Sequence, residues 1–137
     1  MTVSSGVRAF VGLGSNLGDR RAHLEAALAA LAATPGVAVS AVSPAYENPP
    51  VGGPPQDDFW NAVAEVRTTM SPRALWGRLR GIEDAGGRVR TVRDGPRTID
   101  LDLLAHGEHV ASEVDLVLPH PRALDRAFTV GPWADVA

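Results

Sequence analysis

Asp100 and Asp102 stand one residue apart in Arg97-Thr98-Ile99-Asp100-Leu101-Asp102-Leu103-Leu104, a run in which acidic and apolar side chains alternate. A period of two marks a half-buried strand, so both carboxylates are expected on one face, with Ile99, Leu101 and Leu103 on the other. Neighbouring carboxylates repel, and a partly buried setting makes them harder to tolerate. A hard dication removes that objection. Mg²⁺ takes oxygen ligands, keeps several waters, and is commonly held by one or two carboxylates together with substrate phosphates. Just upstream, Arg88, Arg90, Arg93 and Arg97 bring positive charge at close spacing. An acidic pair beside an arginine cluster suits a polyphosphate. The same residues, taken alone, also describe the solvated face of an edge strand next to a charged loop.

Composition narrows the chemistry. A chain of 137 residues is expected to form one domain, spanning 1–137, with a core large enough to need no staples. It has no cysteine, which excludes disulfides, thiolate catalysis and thiolate-bound zinc. It has no lysine either, since all 13 cationic residues are arginine. A Walker A loop and Schiff-base catalysis are therefore excluded, and any phosphate must be handled by arginine, metal or backbone amides. A net charge of −3 argues against a general nucleic-acid surface, and no apolar run approaches a membrane span. With no signal-peptide pattern, a cytoplasmic protein is expected.

The elements that must position the aspartates follow from periodicity. Residues 7–13 read as a first strand, running into a turn at Gly14-Ser15-Asn16-Leu17-Gly18. Gly12-x-Gly14 followed by Leu17 fails the spacing of a dinucleotide-binding loop. Asp19 is placed to cap a helix whose apolar stripe is Leu24, Ala27, Leu28 and Leu31, ended by Pro35-Gly36. Residues 37–46 read as a second strand. The segment from Asn48 to Gln56 holds four prolines and two glycines and forms a loop that could cover a site. A third strand is expected from Phe59 to Thr69. A helix opened by Pro72 then runs to about Ala85, with Leu75, Trp76, Leu79 and Ile82 inward. After the arginine-rich loop come the strand around 98–105, a turn at His106-Gly107 and a short apolar run at 114–118. The order βαββαβ describes a ferredoxin-like α+β fold, an antiparallel sheet flanked by helices.

Four ordered segments carry a resemblance that spans nearly the whole chain. They are Leu13-Gly14-Ser15-Asn16-Leu17-Gly18; Tyr46-Glu47-Asn48-Pro49-Pro50 with Phe59-Trp60-Asn61-Ala62; Gly95-Pro96-Arg97-Thr98-Ile99-Asp100-Leu101-Asp102; and Leu118-Pro119-His120-Pro121-Arg122 with Arg126 and Phe128. Together they resemble the 6-hydroxymethyl-7,8-dihydropterin pyrophosphokinases of folate biosynthesis. The resemblance implies ATP as co-substrate, transfer of its pyrophosphoryl group to the pterin's hydroxymethyl oxygen, and release of AMP. It implies two Mg²⁺ ions on Asp100 and Asp102, with Arg90, Arg93 and Arg97 at the reacting phosphates. It also implies a nucleotide set of Glu83, Arg90, Arg97, Ile99, His120 and Arg126. The pterin pocket would draw on Asn48, Pro49, Val51, Phe59, Asn61 and Phe128. Its partners would be these small molecules, with neither nucleic acid nor membrane, and the protein a monomer.

Alternatives stay open on the residues themselves. Glu83 also fits an exposed helix position, His120 a turn between prolines, and Phe59 and Phe128 plain aromatic packing. Asp94 stands where the family often has an aromatic residue, Asn48 where it often has threonine, and the chain stops at Ala137 where members usually continue. An Asp-x-Asp pair also serves transferases that bind nucleotide sugars, and the departures at Asp94 and Ala137 would suit a non-catalytic binding module.

Overall fold

The computed structural model describes residues 6–16, 18–48, 58–85, 99–107, 111–112 and 117–118. Strand β1, Val7–Ser15, runs through the middle of the sheet and is buried almost continuously from Ala9 onward. It pairs antiparallel with β4, Phe59–Thr68, on one side and with β5, Asp100–His106, on the other. Strand β2, Val37–Val42, lies beyond β4, and β3, Tyr46–Asn48, pairs with the other end of β4. The order is thus β2-β4-β1-β5. Because β1 and β2 are each antiparallel to β4, they run parallel with β4 between them, and helix α1, Arg20–Ala32, makes the crossover. By the same reasoning β4 and β5 flank β1 and are joined through α2, Pro72–Ala85. Two interleaved split βαβ units of this kind make the ferredoxin-like α+β arrangement. A separate pair, β6 (Ala111–Ser112) and β7 (Val117–Leu118), completes the described elements.

Local chemistry accounts for the boundaries. Asp19 accepts a hydrogen bond from the Ala22 N–H at 3.1 Å and starts α1, while Ser71 Oγ does the same for Ala74 at the head of α2. Gly36 takes a positive φ of 84° in the turn into β2, a conformation other residues resist. Two expectations need correction. The strand expected over residues 37–46 is divided, because Pro44 has no N–H to give a ladder. Next to it, Ser43 Oγ stands in as acceptor for the Val63 N–H at 2.9 Å. Gly14 and Ser15, expected in a turn, belong instead to β1, where they pair with Asn61 and Trp60.

Both helices cover the same face of the sheet. Leu24, Ala27 and Leu31 of α1 and Leu75, Leu79 and Ile82 of α2 close over Val11, Leu13, Val66, Leu101 and Leu103 in one buried cluster. Among the described residues, the opposite face carries a small cluster of Phe10, Val63 and Leu104. Among the described residues, no helix is long and apolar enough to cross a membrane.

One end of that second face is pinned electrostatically. Ser40 Oγ donates to Glu65 Oε1 at 2.7 Å, and Arg8 Nε donates to Oε2 at 2.6 Å. These bonds, from Ser40 first and Arg8 second, hold the Glu65 carboxyl below its ordinary range, against the opposing effect of desolvation. The folded carboxylate binds its proton more weakly than the unfolded one. It therefore stabilises the fold above the ordinary carboxylate range, and this contribution drains away as pH falls through the lowered value. Glu65→Gln should accordingly destabilise the protein at neutral pH, by an amount that shrinks as pH falls through the lowered value. Urea melts over a series of pH values check this, and a pH-independent loss would contradict it.

Candidate active site

Register partners in an antiparallel sheet share a face. Asp100 pairs with Gly14, Gly14 with Asn61, and Asn61 with Tyr46, so one line crosses β5, β1, β4 and β3. The next line holds Asp102, Gly12 and Val63. Both lines lie on the face away from the helices. The division expected from the sequence is therefore present: Asp100 and Asp102 are half-buried on one side, while Ile99, Leu101 and Leu103 are 2%, 1% and 3% exposed on the other.

The two glycines shape this face. Neither has a positive φ, so they contribute the absence of a side chain rather than unusual backbone. At Gly12 an added Cβ would meet Leu104 at 3.5 Å, an ordinary contact, so packing does not demand a glycine there. Asn61 and Asp100 thus lie on one line two strand spacings apart, about 10 Å, with Gly14 between them. In the sequence Gly12 falls within the expected strand, while Gly14 reads as the start of a turn. The signal that would have revealed its role is its strand spacing of two from Gly12, in phase with the aspartates across the ladder.

Helix α2 reaches β5 from the outer side. Glu83 is fully buried, which excludes the exposed reading of this position. Its Oε2 accepts the Leu101 N–H at 2.7 Å, and Arg80 Nη2 donates to the Leu101 carbonyl. Arg80 Nε lies 3.1 Å from Glu83 Oε1 as an ion pair, without the alignment of a hydrogen bond. Arg80 carries no signal of this arrangement in the sequence. An Arg–Glu pair three residues apart on a helix ordinarily signals a surface ion pair.

The other expected site residues divide into two groups. Ile99 precedes β5 with its side chain in the main core, and Asn48 at the end of β3 is the register partner of Phe59 at the start of β4. Pro49, Val51, Arg90, Arg93, Arg97, His120, Arg126 and Phe128 lie outside the described residues, as does Asp94. Among the described residues there is no group of three or more metal-ligating side chains. A cation held by Asp100 and Asp102 would thus complete its shell from water, ligand phosphates or residues beyond those described. Two carboxylates, the donor set among the described residues, suit Mg²⁺.

The sequence model of the 7,8-dihydro-6-hydroxymethylpterin-pyrophosphokinase family matches residues 10–137. Among curated relatives, a 2-amino-4-hydroxy-6-hydroxymethyldihydropteridine pyrophosphokinase of Methylorubrum extorquens is 47% identical over 130 residues, 95% of this chain and 82% of the relative. Proteins of the same name are 41% identical in Bacillus subtilis, over 93% of this chain and 77% of the relative, and 43% identical in Pseudomonas aeruginosa, over 95% and 80%.

A cation bound by Asp100 and Asp102 is expected to stabilise the fold by mass action, and Asp100→Asn or Asp102→Asn to remove that gain. Mg²⁺ should raise the Tm of the unaltered protein and not that of either variant. Thermal melts with and without Mg²⁺ check this, and a cation-dependent rise that survives both substitutions would place the ion elsewhere.

Proposed function

The chain belongs to the 7,8-dihydro-6-hydroxymethylpterin-pyrophosphokinase family, and from that premise we propose that it transfers pyrophosphate from ATP to 6-hydroxymethyl-7,8-dihydropterin, with AMP as co-product, in folate biosynthesis. The observation that carries this reading is the line from Asn61 over Gly14 to Asp100, with Asp102 beside it. In that line a group suited to the edge of a flat heterocycle and groups suited to a metal–polyphosphate stand on either side of Gly14.

In this reaction the hydroxymethyl oxygen forms a bond to the β-phosphorus of ATP. The bond from that phosphorus to the bridging α–β oxygen breaks, AMP departs with the oxygen, and the hydroxyl proton is released. Such transfers are governed by positioning and charge neutralisation, and no covalent protein intermediate is needed. Two Mg²⁺ ions, held by Asp100 and Asp102, would supply neutralisation of the triphosphate. Asn61 fixes the pterin edge by hydrogen bonds, and Asn48, Pro49, Val51, Phe59 and Phe128 complete that pocket. Arg90, Arg93 and Arg97 fork onto the reacting phosphates. Glu83, Arg90, Arg97, Ile99, His120 and Arg126 form the nucleotide side. Residues 1–137 act as one cytoplasmic catalytic unit, a monomer whose ligands are these small molecules.

Incubation with ATP, Mg²⁺ and the hydroxymethyl dihydropterin should yield AMP and the pterin diphosphate in equal amounts. Formation of ADP, or no pterin-dependent turnover, would overturn the assignment. Asp100→Ala and Asp102→Ala should each lower kcat at least about a thousandfold, since a metal clamp contributes several kcal/mol to the transition state. Either variant retaining ordinary activity would contradict its role.

Gly14→Val tests this line. Valine is at home in a strand, and its side chain would stand between Asn61 and Asp100. Pterin affinity, followed by calorimetry, should drop at least about tenfold, on the order of 1.4 kcal/mol. Unchanged affinity with native circular dichroism would show that the pterin lies elsewhere.

A further inference from the structure

In the described sheet β5 is the outermost strand, so its far edge presents backbone groups with no neighbouring strand. Leu101 is an exception made by side chains. Its N–H goes to buried Glu83 and its carbonyl to Arg80, and these two side chains are themselves an ion pair. The pair thus offers one acceptor and one donor at strand spacing, as a neighbouring strand would. Arg80 is backed by the Trp76 ring, 5.4 Å from guanidinium carbon to ring centre.

The residue chosen for this contact is the one between the two aspartates. Leu101 N–H belongs to the peptide that joins it to Asp100, and Leu101 C=O to the peptide that joins it to Asp102. Backbone groups alternate along an antiparallel strand, so the remaining groups of these two peptides turn inward to Gly14 and Gly12 of β1. Each peptide plane is therefore held on both edges, by β1 within and by α2 without. Two fixed planes fix the Cα–Cβ directions of Asp100 and Asp102.

We propose that Arg80 and Glu83 are positioning residues for the aspartate pair: they act through the Leu101 backbone to keep both carboxylates at the spacing a divalent cation requires. This rests on the pyrophosphokinase reading and deepens it, since Glu83 then serves the nucleotide–metal site from behind the strand. The arrangement also reconciles a third carboxylate with an acidic site, because the guanidinium beside Glu83 neutralises it and its oxygen is occupied by an amide. Groups that orient metal ligands without touching the metal commonly affect affinity by about 10–100-fold.

Three measurements test the proposal on the full chain. First, amide exchange at Leu101, followed by NMR without any ligand, should be slow in the unaltered protein and faster by about tenfold or more in Glu83→Ala, with β1 amides unchanged. Second, Mn²⁺ affinity from electron paramagnetic resonance titration should fall by about tenfold or more in Glu83→Ala and recover largely in Glu83→Gln, whose amide oxygen can still accept from Leu101. Third, the Mg²⁺ concentration giving half-maximal AMP formation should rise in parallel, while pterin affinity without nucleotide stays the same. If Glu83→Ala does not fold, Arg80→Gln, which keeps the Glu83–Leu101 bond, should show a smaller change of the same kind. Unchanged Leu101 exchange would overturn the clamp. Faster exchange with unchanged Mn²⁺ affinity would overturn the positioning role. An unaltered protein that makes no AMP would sink the functional reading, and exchange and Mn²⁺ titration, which need no nucleotide, would still decide this one.

Discussion

The alternation along β5 is the constraint on which both core and site depend. Leu101 and Leu103 join the main core beneath α2 while Asp100 and Asp102 lie on the other face. A slip of one residue would exchange the two sets, burying two carboxylates among leucines and exposing the leucines in their place. The apolar residues that stabilise the sheet are thus also what aims the acidic pair. A substitution that loosened Leu101 would disturb chemistry and packing together.

Among the described residues the helices lie on one face of the sheet, and β1 differs between its two faces. As the central strand it must be covered on its helix side, where Ala9, Val11 and Leu13 lie in the main core. On its other side it presents Phe10, then Gly12 and Gly14. The change from an aromatic residue to two glycines divides that face. At one end Phe10, Val63 and Leu104 pack together, with Arg8, Ser40 and Glu65 pinned alongside. At the other end lie Gly14 and the residues in line with it, Asn61 and Asp100. This packing and the candidate site occupy separate ends of the same strands.

Much of this was legible in local pattern. The period-two acids of β5, the helix stripes and the Asp19 cap depend on residues within a few positions of one another, and the structure has them as expected. Pro44 was legible as well, yet the small residues around it read as one continuous strand. Gly14 was misjudged because glycine ordinarily marks a break, and only its partners across β4 and β5 show that it lies in a ladder. Glu83 and Arg80 were harder still. Nothing within α2 indicates that the backbone of Leu101, 18 residues beyond Glu83, will donate its N–H to Glu83 and accept at its carbonyl from Arg80.

From its sequence alone, the chain specified residue types in a local order: an acidic pair in strand phase, arginines without lysine, two amphipathic helices and a ferredoxin-like succession of elements. Those properties are carried by near neighbours, whose spacing is fixed by the geometry of helix and strand. Which residues oppose one another was decided by the tertiary fold. Asn61 meets Asp100 across Gly14, and Glu83 meets Leu101, only because β4 and β5 close on either side of β1 and α2 packs against β5. Such encounters join residues far apart in the chain, and they follow from burying one face of each element at once rather than from any local rule.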